Sequence, residues 1–222
     1  MIRTLVIAAV SALFIAAPAA ARIDANSFSG LAFRQHPGAQ LPIGTRFMDE
    51  TGRATTLGAS MGGRPSVLVL EYLRCQNLCS LVLAGTVSAI QRGQLLPGKD
   101  INLVAVSIDP RDTTNDAAKL SAMYSRRFAD ASLAAQGIHF LTGSPAEVRK
   151  LADAVGFPFK LDRQSDQYAH PAGFVVTTSD GRISRYMLGL NPPAAGLREA
   201  VAEARRGAVT PAAHPLLLLC FG

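Results

Sequence analysis

Apolar positions along this chain alternate between short unbroken runs and longer runs of helical spacing. The clearest short run is residues 66–72, where Val67, Leu68, Val69, Leu70 and Tyr72 follow the turn residues at 62–65 and fit a strand buried on both faces. A helical run follows directly, with Leu78, Leu81, Val82, Leu83, Val87, Ile90 and Leu95 near helical spacing until Gly93, Pro97 and Gly98 break the pattern. Residues 101–108 repeat the buried-strand pattern, closed by Asp109 and Pro110. Thr113 or Thr114 can cap a helix to about Phe128, with Ala117, Leu120, Met123, Tyr124 and Phe128 on one face.

The second half continues in the same way. His139, Phe140 and Leu141 read as a short strand, and Ser144 caps a helix over 145–155 that begins with Pro145. Residues 172–178 and 183–187 flank a turn at 179–182 as a hairpin, and a last helix spans 194–206. Ahead of all these, residues 45–57 predict a hairpin turning at 50–52. The order β-β-β-α-β-α-β-α-β-β-α predicts an α/β domain with helices on a central mixed β-sheet and an N-terminal β-hairpin.

With 222 residues, 49% of them hydrophobic and 17% charged, the chain is ample for one domain with a full core. Its first 21 residues break the pattern. Arg3, an apolar stretch from Leu5 to Ala17, and Pro18, Ala19, Ala20 and Ala21 read as a secretory signal cleaved after Ala21. The stretch over 4–21 is also just long enough to stay as a membrane anchor. The domain then covers 22–207, with 208–222 as a tail, and export places it in the periplasm, soluble or anchored to the inner membrane. The net charge of +6 is dispersed, and the chain has no tryptophan and no basic stripe interleaved with aromatics, which argues against nucleic-acid binding.

The chain has three cysteines, too few for a disulfide-stapled scaffold, so the close pair Cys75 and Cys79 is read as functional. Both stand where the strand of 66–72 passes into the following helix. At i and i+4 on a helix their Cα atoms would lie roughly 6 Å apart on one face, within reach of a disulfide. The same pair could hold one soft metal ion between two thiolates. A helix N-terminus and the adjacent Arg74 would both favour thiolate. Cys220, in the apolar tail, is read as a buried apolar contact.

Beyond this local reading, the segments 68–79, 106–113, 140–143, 169–170 and 180–186 resemble, in order and at sensible spacing, the Sco/SenC family of copper-handling proteins, over roughly residues 38–187. The resemblance implies a thioredoxin-like fold and one copper ion per chain, Cu(I) or Cu(II), held by Cys75, Cys79 and His170. It implies a metallochaperone that helps to build the dinuclear copper site of cytochrome c oxidase, whose copper-bearing subunit would be the recipient. The alternative is a thiol-disulfide oxidoreductase acting on the recipient, with Cys75 attacking, Cys79 resolving and a periplasmic thiol reductant restoring the pair. Asp109 matches a family aspartate, while Arg111, Asp112 and Thr113 are read as turning the chain and capping the next helix. His139 is read as structural, and His36 and His214 have nothing to pair them with the cysteines. Gln76 stands where many family members have proline. Pro171, after His170, occupies the loop where thioredoxin-like folds place a cis-proline, so the His170-Pro171 bond is expected to be cis and to set the imidazole against the thiols.

Overall fold

The structure, a computed structural model, describes residues 30–74, 79–212 and 219–220, with the backbone alone at 79–80 and 219–220. In chain order its elements begin with β1 (Arg46–Met48), β2 (Ala54–Thr56), α1 (Leu57–Met61), β3 (Ser66–Glu71), α2 (Cys79–Arg92) and β4 (Asn102–Ser107). They continue with α3 (Thr114–Ser125), α4 (Ala131–Ala135), β5 (Ile138–Leu141), α5 (Pro145–Val155), β6 (Lys160–Asp162) and β7 (Gln167–Pro171). The last are β8 (Gly173–Thr177), β9 (Ile183–Leu188), α6 (Ala194–Arg205) and β10 (Leu219–Cys220).

Every residue of β3 and β4 is buried, which is why both read as unbroken apolar runs rather than alternating ones. The two pair in parallel, from Ser66 opposite Asn102 to Glu71 opposite Ser107. β5 joins β4 in parallel on one side, while β8 runs antiparallel to β3 and β9 antiparallel to β8 on the other. The central sheet is therefore mixed, with order β5-β4-β3-β8-β9. β1 and β2 form the expected N-terminal hairpin, whose turn is held by Asp49 Oδ1 accepting from the backbone N–H groups of Thr51 and Arg53. The core between sheet and helices includes the fully buried Phe140, Phe157 and Phe174.

Local chemistry sets the helix ends. Thr113 accepts from Asp116 N–H while Asp116 accepts from Thr113 N–H, a reciprocal cap that starts α3 one turn beyond β4. Ser144 accepts from Glu147 N–H ahead of Pro145, and Gly156, at φ 67°, closes α5. Among the described residues no helix is long and apolar enough to cross a membrane. The segment read as signal or anchor, 1–21, lies outside them.

Five elements go beyond the sequence pattern: α1, α4, β6, β7 and β10. α1 and α4 have five residues each, too few to show a period. β6 and β7 pair antiparallel, Lys160 opposite Ala169 and Asp162 opposite Gln167, and their polar residues hide the strand signal. β10 adds antiparallel to the other side of β7, giving a second sheet of order β10-β7-β6. His170 thus lies in a strand rather than a loop. The expected cis bond at His170-Pro171 is not found: no peptide bond among the described residues is cis, and both residues belong to the extended chain of β7.

One residue, Ala172, separates β7 from β8, and the chain changes sheets there. Gly173 makes the turn at φ 143°, and a Cβ on it would come within 2.5 Å of the Met187 carbonyl oxygen. Gly173→Ala is expected to cost about 2 kcal/mol through strain and this clash. Thermal unfolding followed by circular dichroism should show a midpoint lowered by roughly 4–8 °C.

Candidate metal centre

β3 delivers the chain to the carboxyl edge of the sheet, where Tyr72 and Leu73 are still buried and Arg74 emerges half-exposed. Cys79 is the first residue of α2, as the sequence pattern implies for a cysteine at the strand-to-helix junction. Cys75 and Gln76 lie outside the described residues.

The residues just before Cys75 are held by the end of β4. Asp112, whose side chain is fully buried, accepts from Leu73 N–H at 2.6 Å, from Ser107 Oγ at 2.6 Å and from Arg74 Nε at 2.9 Å. Arg74 also reaches Asp109 at 3.7 Å. Its guanidinium is held above the ordinary arginine value first by the hydrogen bond to Asp112. The expectation that Arg74 favours thiolate at Cys75 thus meets a cation already paired. Asp112, read from sequence as a turn residue, instead ties the cysteine segment to β4. Its signal in the sequence was only its position three residues after Asp109 at a strand end.

Asp109 is buried and accepts from Arg111 Nε at 2.9 Å and from Arg111 N–H at 2.9 Å. The same guanidinium donates to both carboxylate oxygens of Asp166 at 2.8 Å. Asp109 first, then Asp166, push Arg111 above its ordinary value. Because Asp166 sits in the turn between β6 and β7, this chain of contacts fastens the ribbon that carries His170 to the end of β4.

His170 is only 1% exposed. Its ring lies 5.4 Å from Phe157 and meets Tyr72 edge-on at 6.3 Å, centroid to centroid, and Tyr72 stands three residues before Cys75. Tyr168 packs on Tyr72 at 5.7 Å and extends this aromatic layer. Burial pushes the imidazole down to about 4, so it is neutral at pH 7. Nδ1 lies 3.0 Å from the Pro171 carbonyl oxygen and donates to it, which leaves the ring lone pair on Nε2. Metal-binding histidines are commonly oriented in this way.

Two of the other histidines lie among the described residues. His139 Nδ1 is 3.2 Å from Glu50 Oε1, and His36 takes part through its backbone, donating to the Tyr186 hydroxyl. His214 lies outside the described residues. Cys220 stands in β10 at the register position opposite His170.

A central mixed sheet with helices around it and a cysteine at the start of α2, after the central strand β3, is a thioredoxin-like fold. A model of the SCO1/SenC family matches residues 38–204, and the chain belongs to that family. Solved structures agree on the fold. The crystal structure of ScoI from Arabidopsis thaliana with copper bound aligns with a TM-score of 0.58 at 20% identity, covering 78% of this chain and 98% of that one. BsSco, described as a member of the Sco family of cytochrome c oxidase assembly proteins in which a disulfide switch was identified, aligns at 0.58 and 18%, covering 77% and 96%. A protein from Aquifex aeolicus VF5, provisionally described as an electron transfer protein, aligns at 0.67 and 24%, covering 78% and 96%. No curated protein matches the chain.

The depressed value of His170 sets a sign for the pH dependence of stability. Between about 4 and 6.5 the unfolded chain binds a proton at this residue and the folded chain does not. The contribution is therefore complete above pH 6.5 and is lost as pH falls toward 4, up to about 3 kcal/mol in all. Urea unfolding of the chelator-treated protein at pH 7.5, 6 and 5 should show that decline, and His170→Gln should flatten it.

Proposed function

We propose that the protein is a periplasmic copper-transfer protein. It holds one copper ion on the thiolates of Cys75 and Cys79 and on the imidazole of His170, and passes it to the copper-bearing subunit of cytochrome c oxidase. The observation that carries this reading is His170. A buried, neutral imidazole with its Nδ1 proton committed to a backbone carbonyl rests against the aromatic residue three positions before Cys75. Family membership and a copper-bound relative support it.

The donor set suits the cargo. Two thiolates match Cu(I), and an added imidazole supports Cu(II), so one site serves both oxidation states. A neutral imidazole has no proton to shed before it coordinates. Release proceeds by ligand exchange, each thiolate giving way to a ligand of the recipient. The disulfide switch named for BsSco supports a second state of the same pair, which two electrons from a periplasmic thiol reductant would return to the metal-binding dithiol. A thiol-disulfide oxidoreductase would use that state for catalysis and would not need His170. The domain proposed to carry the site is 22–207, with 1–21 serving as export signal or anchor.

Anaerobic titration of the reduced protein with Cu(I) and Cu(II), read by mass spectrometry and absorbance, tests the proposal. One copper per chain is expected, lost in Cys75→Ser and weakened more than about 10-fold in His170→Ala. Unchanged copper affinity in His170→Ala would sink the three-ligand site. Retained disulfide reductase activity with no copper binding in either oxidation state would establish the oxidoreductase instead.

A further inference from the structure

A cleft of about 620 Å³ lies among the carboxyl ends of β4 and β5, the first turns of α5 and the strand β6. Its deep side chains are Ile108, Val148 and Tyr168, all buried, with the half-buried Phe159 and Leu161 beside them. Two cations stand at its mouth. Arg149 and Lys160 both line the cleft and are exposed, and the Arg149 guanidinium lies over the Phe159 ring at 4.1 Å. No acidic side chain lines the cleft, and among the described residues neither cation has a carboxylate within ion-pair distance. Glu147 and Asp162, close in sequence, are engaged by their own turns, through the Ser144 hydroxyl and through Gln164 N–H and the Ser165 hydroxyl.

An apolar cleft with an uncompensated positive mouth fits an apolar group that has carboxylates next to it. The rim is exposed at Pro110, Pro145 and Ala146 as well as at the two cations, so a ligand lying in it keeps one side in water. Small-molecule sites instead bury about 70–90% of their ligand, and an open cleft suits a side chain presented by another protein. The chain itself offers no such segment: outside the described residues its only acidic side chain is Asp24. We propose that this cleft is a docking site for an acidic segment of a partner protein, which sets an aromatic side chain against Phe159 and Leu161 while flanking carboxylates meet Arg149 and Lys160. Tyr168 joins the cleft to the candidate metal centre, packing on Phe159 at 5.9 Å and on Tyr72 at 5.7 Å, and Tyr72 in turn meets His170. The docking stands on the cleft alone; that the partner is the copper recipient rests on the proposed function.

The probe is an acetylated, amidated pentapeptide with one phenylalanine between two pairs of aspartates, titrated into the isotopically labelled full chain and followed by NMR. The amides of Val148, Phe159 and Leu161 are expected to shift together and to saturate. Replacing the peptide's phenylalanine by alanine should weaken binding about 10-fold, the loss expected for one buried aromatic side chain. Combining Arg149→Glu with Lys160→Glu, both on exposed side chains, should weaken it by about 10-fold or more with the circular dichroism spectrum unchanged. Added salt should weaken the wild-type complex, and a peptide with lysines in place of the aspartates should not bind. Shifts confined to other parts of the surface overturn the proposal, as does equal affinity for wild type and double variant or for the acidic and lysine peptides. Free 3-phenylpropionate binding as tightly as the peptide overturns it too, and makes the cleft a small-molecule site. The titration needs no copper, so its failure leaves the metal site untouched, and a failure of copper binding leaves the docking result standing.

Discussion

The buried parallel pairing of β3 with β4 governs the rest of the molecule. Parallel neighbours finish at the same edge of the sheet, and Glu71 stands level with Ser107. The two strand ends therefore lie side by side, and Leu73 and Asp112 just beyond them are buried. Backbone donors there need internal acceptors, because an unpaired buried amide costs about as much as a lost hydrogen bond. Asp112 meets that need for Leu73, and a carboxylate so deeply buried in turn requires a cation, which Arg74 supplies. The turn after β4 and the entry to the cysteine segment are thus one structural unit.

A second constraint brings His170 to that edge from far along the chain. The ribbon of β6 and β7 is fastened at its turn by Arg111 and Asp166, and the one-residue step from β7 to β8 fixes its other end through Gly173. Between these anchors His170 is sealed by Phe157 and Tyr72. Drying the ring keeps it neutral, and the Pro171 carbonyl selects which nitrogen holds the proton. Burial and one backbone contact therefore fix the protonation and tautomer of a residue that sequence spacing alone would present as an ordinary histidine.

The fold was largely legible in the chain because its central strands and amphipathic helices announce themselves by composition. Val67 to Leu70 and Leu103 to Val106 are apolar without interruption, and Ser144 and Pro145 mark the observed start of α5. The second sheet was not legible. Lys160, Asp162 and Gln167 are polar strand residues on a short ribbon, and they mask the strand pattern although Tyr168, Ala169 and His170 beside them are buried. Of the proposed site, the cysteine pair stands out in sequence by its junction and His170 by its family motif, whereas Asp112 looked like a helix-entry residue and Arg74 like a free cation.

Sequence by itself determined the α/β order, the strand-to-helix junction at Cys79 and the membership of that segment in a recognisable family, since these depend on neighbours along the chain. Only tertiary structure decided that His170 lies trans to Pro171 in a strand, neutral and buried beside Tyr72, and that Asp112 holds Arg74. Those outcomes depend on which groups meet across the sheet edge and on how little water remains there, and neither quantity is written in local sequence.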